Sequence, residues 1–319
     1  TLCPTFRVDA PEALGPMLDA AFAALATGRP GPVHLEVPTD VMPLACPPVT
    51  AAVLPARPKA DAGALAEAAR HLNSGRTVIL AGGGCRGAEA PLRALAEALD
   101  APVIQTANAR GLMAGHPLAL PVSPSLDATR ALIAGADAVL AVGTELGPTD
   151  YDMYARGGLP DLSGMVRIDI CPNQLARYPE AVTVVADAAE ALVALLPRIT
   201  PRKGDGAARA AKALAAAHAE LASLDPAMPH RLACVEAIRD ALPRAIIVGD
   251  STQAVYAANL VYAHDRAGGW FNAATGYGAL GFAPGAAVGA ALAAPGTPVV
   301  CLIGDGGLQF SPGELRTAL

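Results

Sequence analysis

The sequence has few aromatic residues, no closely spaced cysteine pair, no basic cluster and no long apolar segment. Aromatic side chains make up 4% of the 319 residues, whereas 53% of the residues are hydrophobic and 32 are glycine. Small aliphatic side chains and frequent glycine are typical of helices that pack closely on buried parallel strands. The composition therefore favours an α/β architecture, and the length is sufficient for more than one domain.

These absences also limit which binding partners and which cellular compartment we expect for the protein. The formal net charge of -6 is spread along the chain, without the basic face that binding to nucleic acid or anionic lipid requires. Apolar runs such as Ala286–Ala294 are too short to span a bilayer. No signal-peptide pattern follows Thr1 and no two cysteines form a C-x-x-C pair, which favours the reducing cytoplasm. Cys301, within an apolar run, is predicted to be a small buried side chain.

Apolar periodicity and proline-rich stretches divide the chain into three parts. The first begins with a helix that Asp9 is predicted to cap and that ends at Gly28, followed by a strand at residues 33–37. Two later stretches have no apolar periodicity and are interpreted as linkers. We predict domains at 1–42, 61–197 and 207–319, separated by linkers at 43–60 and 198–206.

Short apolar strands alternate with helices from residue 61 onward. Strands are predicted at 77–81, 103–106, 138–142, 166–170, 182–185, 245–248 and 299–303. Such units are joined by right-handed crossovers, so the sequence predicts doubly wound parallel sheets. Because the chain ends at Leu319 inside a predicted helix, we expect a complete central domain and a truncated third domain.

A glycine-rich turn, Gly82–Gly87, follows a predicted strand and opens a helix. It matches the G-x-G-x-x-G pattern of dinucleotide sites, in which a helix N-terminus holds a pyrophosphate. The next strand ends in Ile104-Gln105-Thr106, without the carboxylate that would bind a ribose. A tight structural turn is the preferred interpretation, and a non-catalytic nucleotide- or FAD-binding module is the alternative.

A second glycine-rich turn, Gly304-Asp305-Gly306-Gly307, follows the last predicted strand. Glycines let the backbone approach phosphate oxygens, and a carboxylate beside a diphosphate can hold a divalent metal. An aspartate that only accepts hydrogen bonds from turn amides is equally compatible with this turn. The polar cluster Asp250-Ser251-Thr252-Gln253 and the glycine-rich loop 272–287 favour a ligand crevice at the same edge of the sheet.

Several motifs, in the same order along the chain, resemble the thiamine-diphosphate-dependent enzymes of the acetolactate-synthase-like group. The segments that resemble their pyrimidine-binding, central and diphosphate-binding domains are residues 28–40, residues 110–117 with 166–170, and residues 276–319. Within the group, Ser251–Gln253 and the opening Thr1–Cys3 resemble a 2-oxo acid decarboxylase such as 5-guanidino-2-oxopentanoate decarboxylase.

The resemblance implies a set of cofactor contacts. The residues that it places beside the diphosphate of the cofactor are Ser251, Thr252, Gln253, Gly304, Gly306 and Gly307. Asp305 would bind Mg²⁺, and the carbonyl of Gly278 would accept a hydrogen bond from the aminopyrimidine. Leu280 would lie between the two rings of the cofactor and enforce a bent shape.

The resemblance also implies decarboxylation of a 2-oxo acid, followed by protonation or by carboligation, and it leaves the acid and the outcome open. The activating glutamate would precede Thr1 and a further metal ligand would follow Leu319, so no catalytic residue is assigned and the chain alone is expected to be inactive. In this family the cofactor lies between subunits, so a homodimer or homotetramer is expected. The apolar segment 276–294 agrees with an interface, although it could instead pack within its own domain.

Overall fold

The computed structural model describes residues 3–50, 54–152, 157–158, 160–177 and 182–319. Thr1 and Leu2, part of the opening segment in the family resemblance, lie outside the described residues. The described residues form three parallel sheets in three consecutive parts of the chain. The predicted α/β class with parallel sheets is therefore confirmed, whereas the exact domain boundaries stay a prediction.

The N-terminal part is a pair of parallel strands joined through a helix. Its elements are β1 (Thr5–Arg7), α1 (Leu14–Thr27) and β2 (His34–Glu36). The helix ends at Gly28, as predicted. The predicted cap at Asp9 is wrong, because its carboxylate accepts a hydrogen bond from Nε of Arg7 at 2.7 Å and does not cap the helix.

The central part is a parallel sheet with helices on both faces. Its elements are α2 (Ala62–Leu72), β3 (Thr77–Ala81), α3 (Glu89–Leu99), β4 (Val103–Gln105), β5 (Ala119–Leu120), α4 (Asp127–Ala134), β6 (Ala138–Val142), α5 (Pro148–Tyr151), β7 (Val166–Asp169), α6 (Pro172–Leu175), β8 (Val182–Val185) and α7 (Ala188–Leu195). The strand order is β5-β4-β3-β6-β7-β8, and all neighbours are parallel. The direction of winding reverses between β3 and β6, which is the doubly wound arrangement.

The third part is a parallel sheet of the order β10-β9-β11. Its elements are α8 (Gly206–Leu224), α9 (Met228–Ala241), β9 (Ile246–Gly249), α10 (Gln253–Val261), β10 (Trp270–Asn272), α11 (Phe282–Ala293), β11 (Val299–Leu302), α12 (Asp305–Leu308) and α13 (Glu314–Thr317). β9 is buried over its whole length. Cys301 is exposed, contrary to the prediction, because β11 is an edge strand of the described sheet.

The central and third parts share one hydrophobic core. Leu80 and Ile104 of the central sheet belong to the same buried cluster as Ile247 and Trp270 of the third sheet. In addition, α5 contacts the turn that follows β10. The loops at the ends of the central strands therefore lie against the loop that follows β10. None of the helices in the described ranges is both long enough and apolar enough to cross a membrane.

Candidate active site

The carboxylate of Asp250 organises the edge of the third sheet where β9 ends. The side chain is fully buried and accepts the N–H groups of Ser251, Gly281 and Ala283 at 2.9, 3.3 and 2.9 Å. It therefore attaches the start of α11 to the end of β9 and places a negative charge at the helix N-terminus, where the helix dipole favours it. From the sequence, Asp250 is only one member of a polar cluster; its position directly after a buried strand is the signal for this role.

Ser251 and Gly278 are in direct contact. Oγ of Ser251 donates a hydrogen bond to the carbonyl of Gly278 at 2.9 Å. Gly278 has a φ of +70°, in the left-handed region that favours glycine, and its N–H donates to the carbonyl of Ala273 at 2.9 Å. The carbonyl oxygen of Gly278 has a second lone pair, so it can accept another hydrogen bond from a ligand.

The turn after β11 lies beside the start of α10. A methyl group on Gly304 would lie 3.6 Å from Oγ1 of Thr252, and one on Gly307 would lie 3.2 Å from Oδ1 of Asp250. A methyl group on Gly306 would meet nothing within 4 Å, so that side of the turn is open. Thr252 precedes α10 but its side chain makes no capping hydrogen bond, which leaves the first amides of the helix available to an anion.

Asp305 lies in this turn with an exposed side chain. Within the described residues, its carboxylate has no hydrogen bond or ion pair. The same residues contain no group of three or more His, Cys, Asp and Glu side chains that could hold a metal ion. Asp305 can therefore supply one oxygen ligand, and a divalent metal would need others, including phosphate oxygens.

The loop before α11 and the helix itself expose large apolar side chains. Leu280 is 47% exposed, Tyr277 83% and Leu292 77%. Ala283 and Pro284 are the buried residues of α11, and Ala286, Ala287 and Ala290 pack on the sheet with partial burial. Gly285, Gly289 and Leu292 of the same helix are exposed. Leu280 is available for contact with a ligand, and the remaining side chains are available for contact with another chain.

A cavity of about 640 Å³ opens beside Ser251 and Gly278. Its walls come from two parts of the chain: Pro148, Thr149 and Asp152 from the central part, and Gln253, Tyr256 and Tyr277 from the third part. Of the residues predicted at the site, Ser251, Gln253 and Gly278 line this cavity. Thr252, Leu280 and the glycine turn after β11 lie outside its lining. The central residues of the wall have no signal in the sequence, because only the contact between the two sheets brings them here.

The glycine turn after β3 has a structural role. The N–H of Gly82 donates to the carbonyl of Val142 at 3.0 Å, and that of Gly84 to the carbonyl of Gly143 at 2.9 Å. A methyl group on Gly82 would lie 2.1 Å from the carbonyl oxygen of Gly143. The glycines therefore permit two loops to touch, and these amides are not free to bind a pyrophosphate.

Two family models match the chain. Residues 65–195 match the family model described as thiamine pyrophosphate enzyme, central domain. Residues 249–319 match the one described as thiamine pyrophosphate enzyme, C-terminal TPP binding domain. The chain belongs to the thiamine pyrophosphate enzymes.

Curated relatives of this family match nearly the whole chain. It is 38% identical to probable 2-ketoarginine decarboxylase AruI of Pseudomonas aeruginosa, over 97% of this chain and 56% of that protein. It is 28% identical to acetolactate synthase isozyme 1 large subunit of Escherichia coli, over 96% of this chain and 56% of that protein. It is 33% identical to sulfoacetaldehyde acetyltransferase of Rhodobacter capsulatus, over 81% of this chain and 49% of that protein.

The fold also matches a solved structure from Mycobacterium smegmatis, assigned as a thiamin diphosphate-dependent enzyme. The TM-score is 0.74 at 24% identity, over 98% of this chain and 61% of that one. The chain spans about half the length of the curated relatives that it matches. The predicted resemblance to the acetolactate-synthase-like thiamine-diphosphate enzymes is confirmed, and these relatives do not support a non-catalytic nucleotide-binding module.

The third sheet fits the thiamine diphosphate that the C-terminal family domain binds. The open face at Gly306 and the uncapped start of α10 suit phosphate oxygens, because both present backbone amides. The carbonyl of Gly278 and the exposed Leu280 suit the ring end of the cofactor, since one accepts a hydrogen bond and the other offers an apolar contact.

Proposed function

We propose that the protein carrying this chain decarboxylates a 2-oxo acid with thiamine diphosphate and Mg²⁺, and that the acid is 5-guanidino-2-oxopentanoate, also called 2-ketoarginine. The convergence of Ser251, Gly278 and the turn with Asp305 on the end of β9 carries the proposal. The choice of substrate is supported by the relative named for 2-ketoarginine, which is 38% identical.

The residues of this chain bind and orient the cofactor. When bound, thiamine diphosphate supplies the nucleophilic carbon and the electron sink for the loss of carbon dioxide from a 2-oxo acid. In the proposal, the amides at the start of α10 and of the turn after β11 bind the diphosphate, and Asp305 binds Mg²⁺. The carbonyl of Gly278 would accept a hydrogen bond from the aminopyrimidine, and Leu280 would supply an apolar contact to the rings.

The cavity between the two sheets is proposed to receive the side chain of the substrate. Its described lining includes the carboxylate of Asp152 and no lysine or arginine, which suits a guanidinium group. Asp152 already forms an ion pair with Nη2 of Arg130 at 3.2 Å and accepts the N–H of Gly158 at 3.0 Å, so a substrate guanidinium would share this carboxylate with Arg130. Thr149 and Tyr256 add polar atoms to the same wall.

The proposal is tested on the full-length protein by the release of carbon dioxide from 5-guanidino-2-oxopentanoate and from pyruvate. We expect release from the guanidino acid that requires thiamine diphosphate and stops when EDTA removes the metal. Release without either component would contradict the proposal. Formation of acetolactate from pyruvate, without turnover of the guanidino acid, would instead indicate a synthase. The 319 residues alone should not turn over either acid.

The organisation of the whole protein is part of the proposal. We propose that it is a homodimer or homotetramer, supported by the apolar surface of α11, and that this chain comprises the predicted domains 1–42, 61–197 and 207–319. A cytoplasmic location is supported by the six cysteines, all of which are free. Cell fractionation and limited proteolysis of the full-length protein test these points.

A further inference from the structure

Helix α10 connects the candidate active site to the central sheet. Its start carries Ser251–Gln253 of the proposed diphosphate site, and its end lies in the core that the two sheets share. The last turn of any helix leaves carbonyl groups without partners in the helix. In α10, two of these carbonyls are bound by residues of the central part of the chain.

The guanidinium of Arg110 donates two hydrogen bonds to backbone carbonyls at the C-terminal end of α10. Nη2 donates to the carbonyl of Asn259 at 2.7 Å, and Nη1 donates to the carbonyl of Tyr262 at 2.9 Å. Between them, the carbonyl of Leu260 accepts the N–H of Ser123 at 2.6 Å. The C-terminal end of α10 is therefore capped partly by the N–H of Tyr262, which donates to the carbonyl of Ala258, and partly by the central part of the chain.

Burying a cation between two parts of the chain has a large desolvation cost. Arg110 is 1% exposed, and within the described part of the chain its Nε has no hydrogen-bond partner. Burial lowers the pKa of Arg110 to about 9, partly offset by the carboxylate of Asp150, so the side chain is still protonated at neutral pH. Well-packed apolar residues can replace buried charges without loss of stability. Beside Arg110, the two parts of the chain also touch through their backbones: a methyl group on Gly111 would lie 2.0 Å from the carbonyl oxygen of Arg266.

The charge of Arg110 lies at the C-terminal end of α10, where it interacts favourably with the helix dipole. A cation at the C-terminal end is stabilised by the helix dipole, and the same dipole favours an anion at the N-terminal end. Arg110 thus lies at the end of α10 opposite the proposed diphosphate.

The side chain of Asn259 extends the connection to the loop of Gly278. Its Nδ2 donates to Oδ1 of Asn272 at 3.2 Å, and its Oδ1 accepts from Nδ2 of Asn272 at 2.8 Å and from Nε1 of Trp270 at 3.2 Å. Oδ1 of Asn272 also accepts the N–H of Ala274 at 3.1 Å, at the start of the turn that leads to Gly278. Both asparagines are 3% exposed, so this network is sheltered from water.

We infer that Arg110 is a positioning residue for the cofactor site: it fixes the end of α10, and thereby both the phosphate-binding start of that helix and, through Asn259, the loop of Gly278. The inference rests on the proposed function, because it assigns the central domain a part in cofactor binding. If Arg110 only stabilised the contact between the two parts of the chain, its replacement would lower the free energy of unfolding and leave the affinity for the cofactor unchanged.

The test compares Arg110→Met, Arg110→Lys and the matched control Arg93→Met in the full-length protein. Among the residues that the structure describes, the hydrogen bonds of Arg93 also go to backbone carbonyls, those of Leu112 and Ala114, and none goes to α10. The measurements are the dissociation constant for thiamine diphosphate with Mg²⁺, by calorimetry, and amide hydrogen exchange of residues 253–261 and 273–278.

We expect Arg110→Met to weaken cofactor binding about tenfold, or about 1.4 kcal/mol, and to speed exchange in both segments. Arg110→Lys keeps the charge but cannot make both hydrogen bonds of the guanidinium, so its affinity for the cofactor should lie between those of Arg110→Met and the parent. Arg93→Met should bind like the parent. If Arg110→Met does not fold, Arg110→Lys is compared with Arg93→Lys, and a loss confined to the former supports the inference.

Two outcomes would overturn it while leaving the proposed function intact. If folded Arg110→Met binds thiamine diphosphate as tightly as the parent and shows unchanged exchange in α10, Arg110 is only a structural tie. An equal loss in Arg93→Met would attribute the effect to a general loosening of the loop. If the parent itself does not bind thiamine diphosphate, the proposed function fails first, and the inference fails with it.

Discussion

The hydroxyl of Tyr262 lies 2.8 Å from Nδ1 of His264, and both side chains are buried. Nε2 of the same ring lies 3.1 Å from the carbonyl of Ala245. Burial lowers the pKa of His264, and this effect outweighs the opposing charge of Asp265, whose Oδ1 lies 3.6 Å from Nε2. The neutral ring is therefore the form that the folded protein accommodates.

This pair predicts an acid-sensitive stability. The pKa of the unfolded histidine is about 6.5 and that of the folded one is lower, so the unfolded chain binds the extra proton first as the pH falls. The contribution of His264 is fully present above the unfolded pKa and is lost as the pH falls toward the folded pKa. Urea unfolding at several pH values should show a weaker pH dependence in His264→Gln, whereas the exposed His218→Gln should behave like the parent.

Asp250→Asn is expected to destabilise the protein without cofactor. The carboxylate accepts three backbone N–H groups at full burial, and an amide cannot accept all of them. We expect a loss of about 1–3 kcal/mol in the free energy of unfolding, measured with urea. An unchanged value would show that α11 does not depend on this cap.

Asp305→Ala is expected to weaken cofactor binding with little change in the stability of the protein without cofactor. The side chain is exposed and has no partner among the described residues, so the free energy of unfolding without cofactor should change by less than about 0.5 kcal/mol. Affinity for thiamine diphosphate in the presence of Mg²⁺ should nevertheless fall sharply. Calorimetry with and without Mg²⁺ measures this, with the exposed Glu67→Ala as control. Retained affinity with retained Mg²⁺ dependence would remove Asp305 from the metal site.

Leu292→Glu is expected to weaken subunit association. Leu292 is 77% exposed on α11, and a charge there would have to be desolvated in an interface. Light scattering should report a lower mass for this variant at micromolar concentration. Val193→Glu, 61% exposed on α7 of the central part, should leave the mass unchanged. A parent that is active as a monomer would contradict the shared site.

Local sequence patterns predict the elements that depend on local physics. The strands Thr77–Ala81, Ala138–Val142 and Val182–Val185 have the predicted bounds, because each is a short apolar run between turn residues. The glycine turn with Asp305 also lies at a strand end, as its composition suggests.

Contacts between segments that are distant in the sequence leave no local pattern from which they could be predicted. Arg110 binds carbonyls 149 and 152 residues further along the chain, and a side chain that binds distant backbone leaves no periodic signal. Cys301 was wrongly predicted for a related reason: an apolar run indicates a strand but not whether the strand lies inside the sheet or at its edge.

The contact between Gly82 and Gly143 has a consequence for the colour of the protein. Between β3 and β6, where a doubly wound sheet usually receives a dinucleotide, the two loops are closed on each other by backbone hydrogen bonds. A flavin pyrophosphate could enter only if those bonds were broken and the loops separated. The purified full-length protein should therefore be colourless and show no flavin absorbance, and its activity should be independent of added FAD.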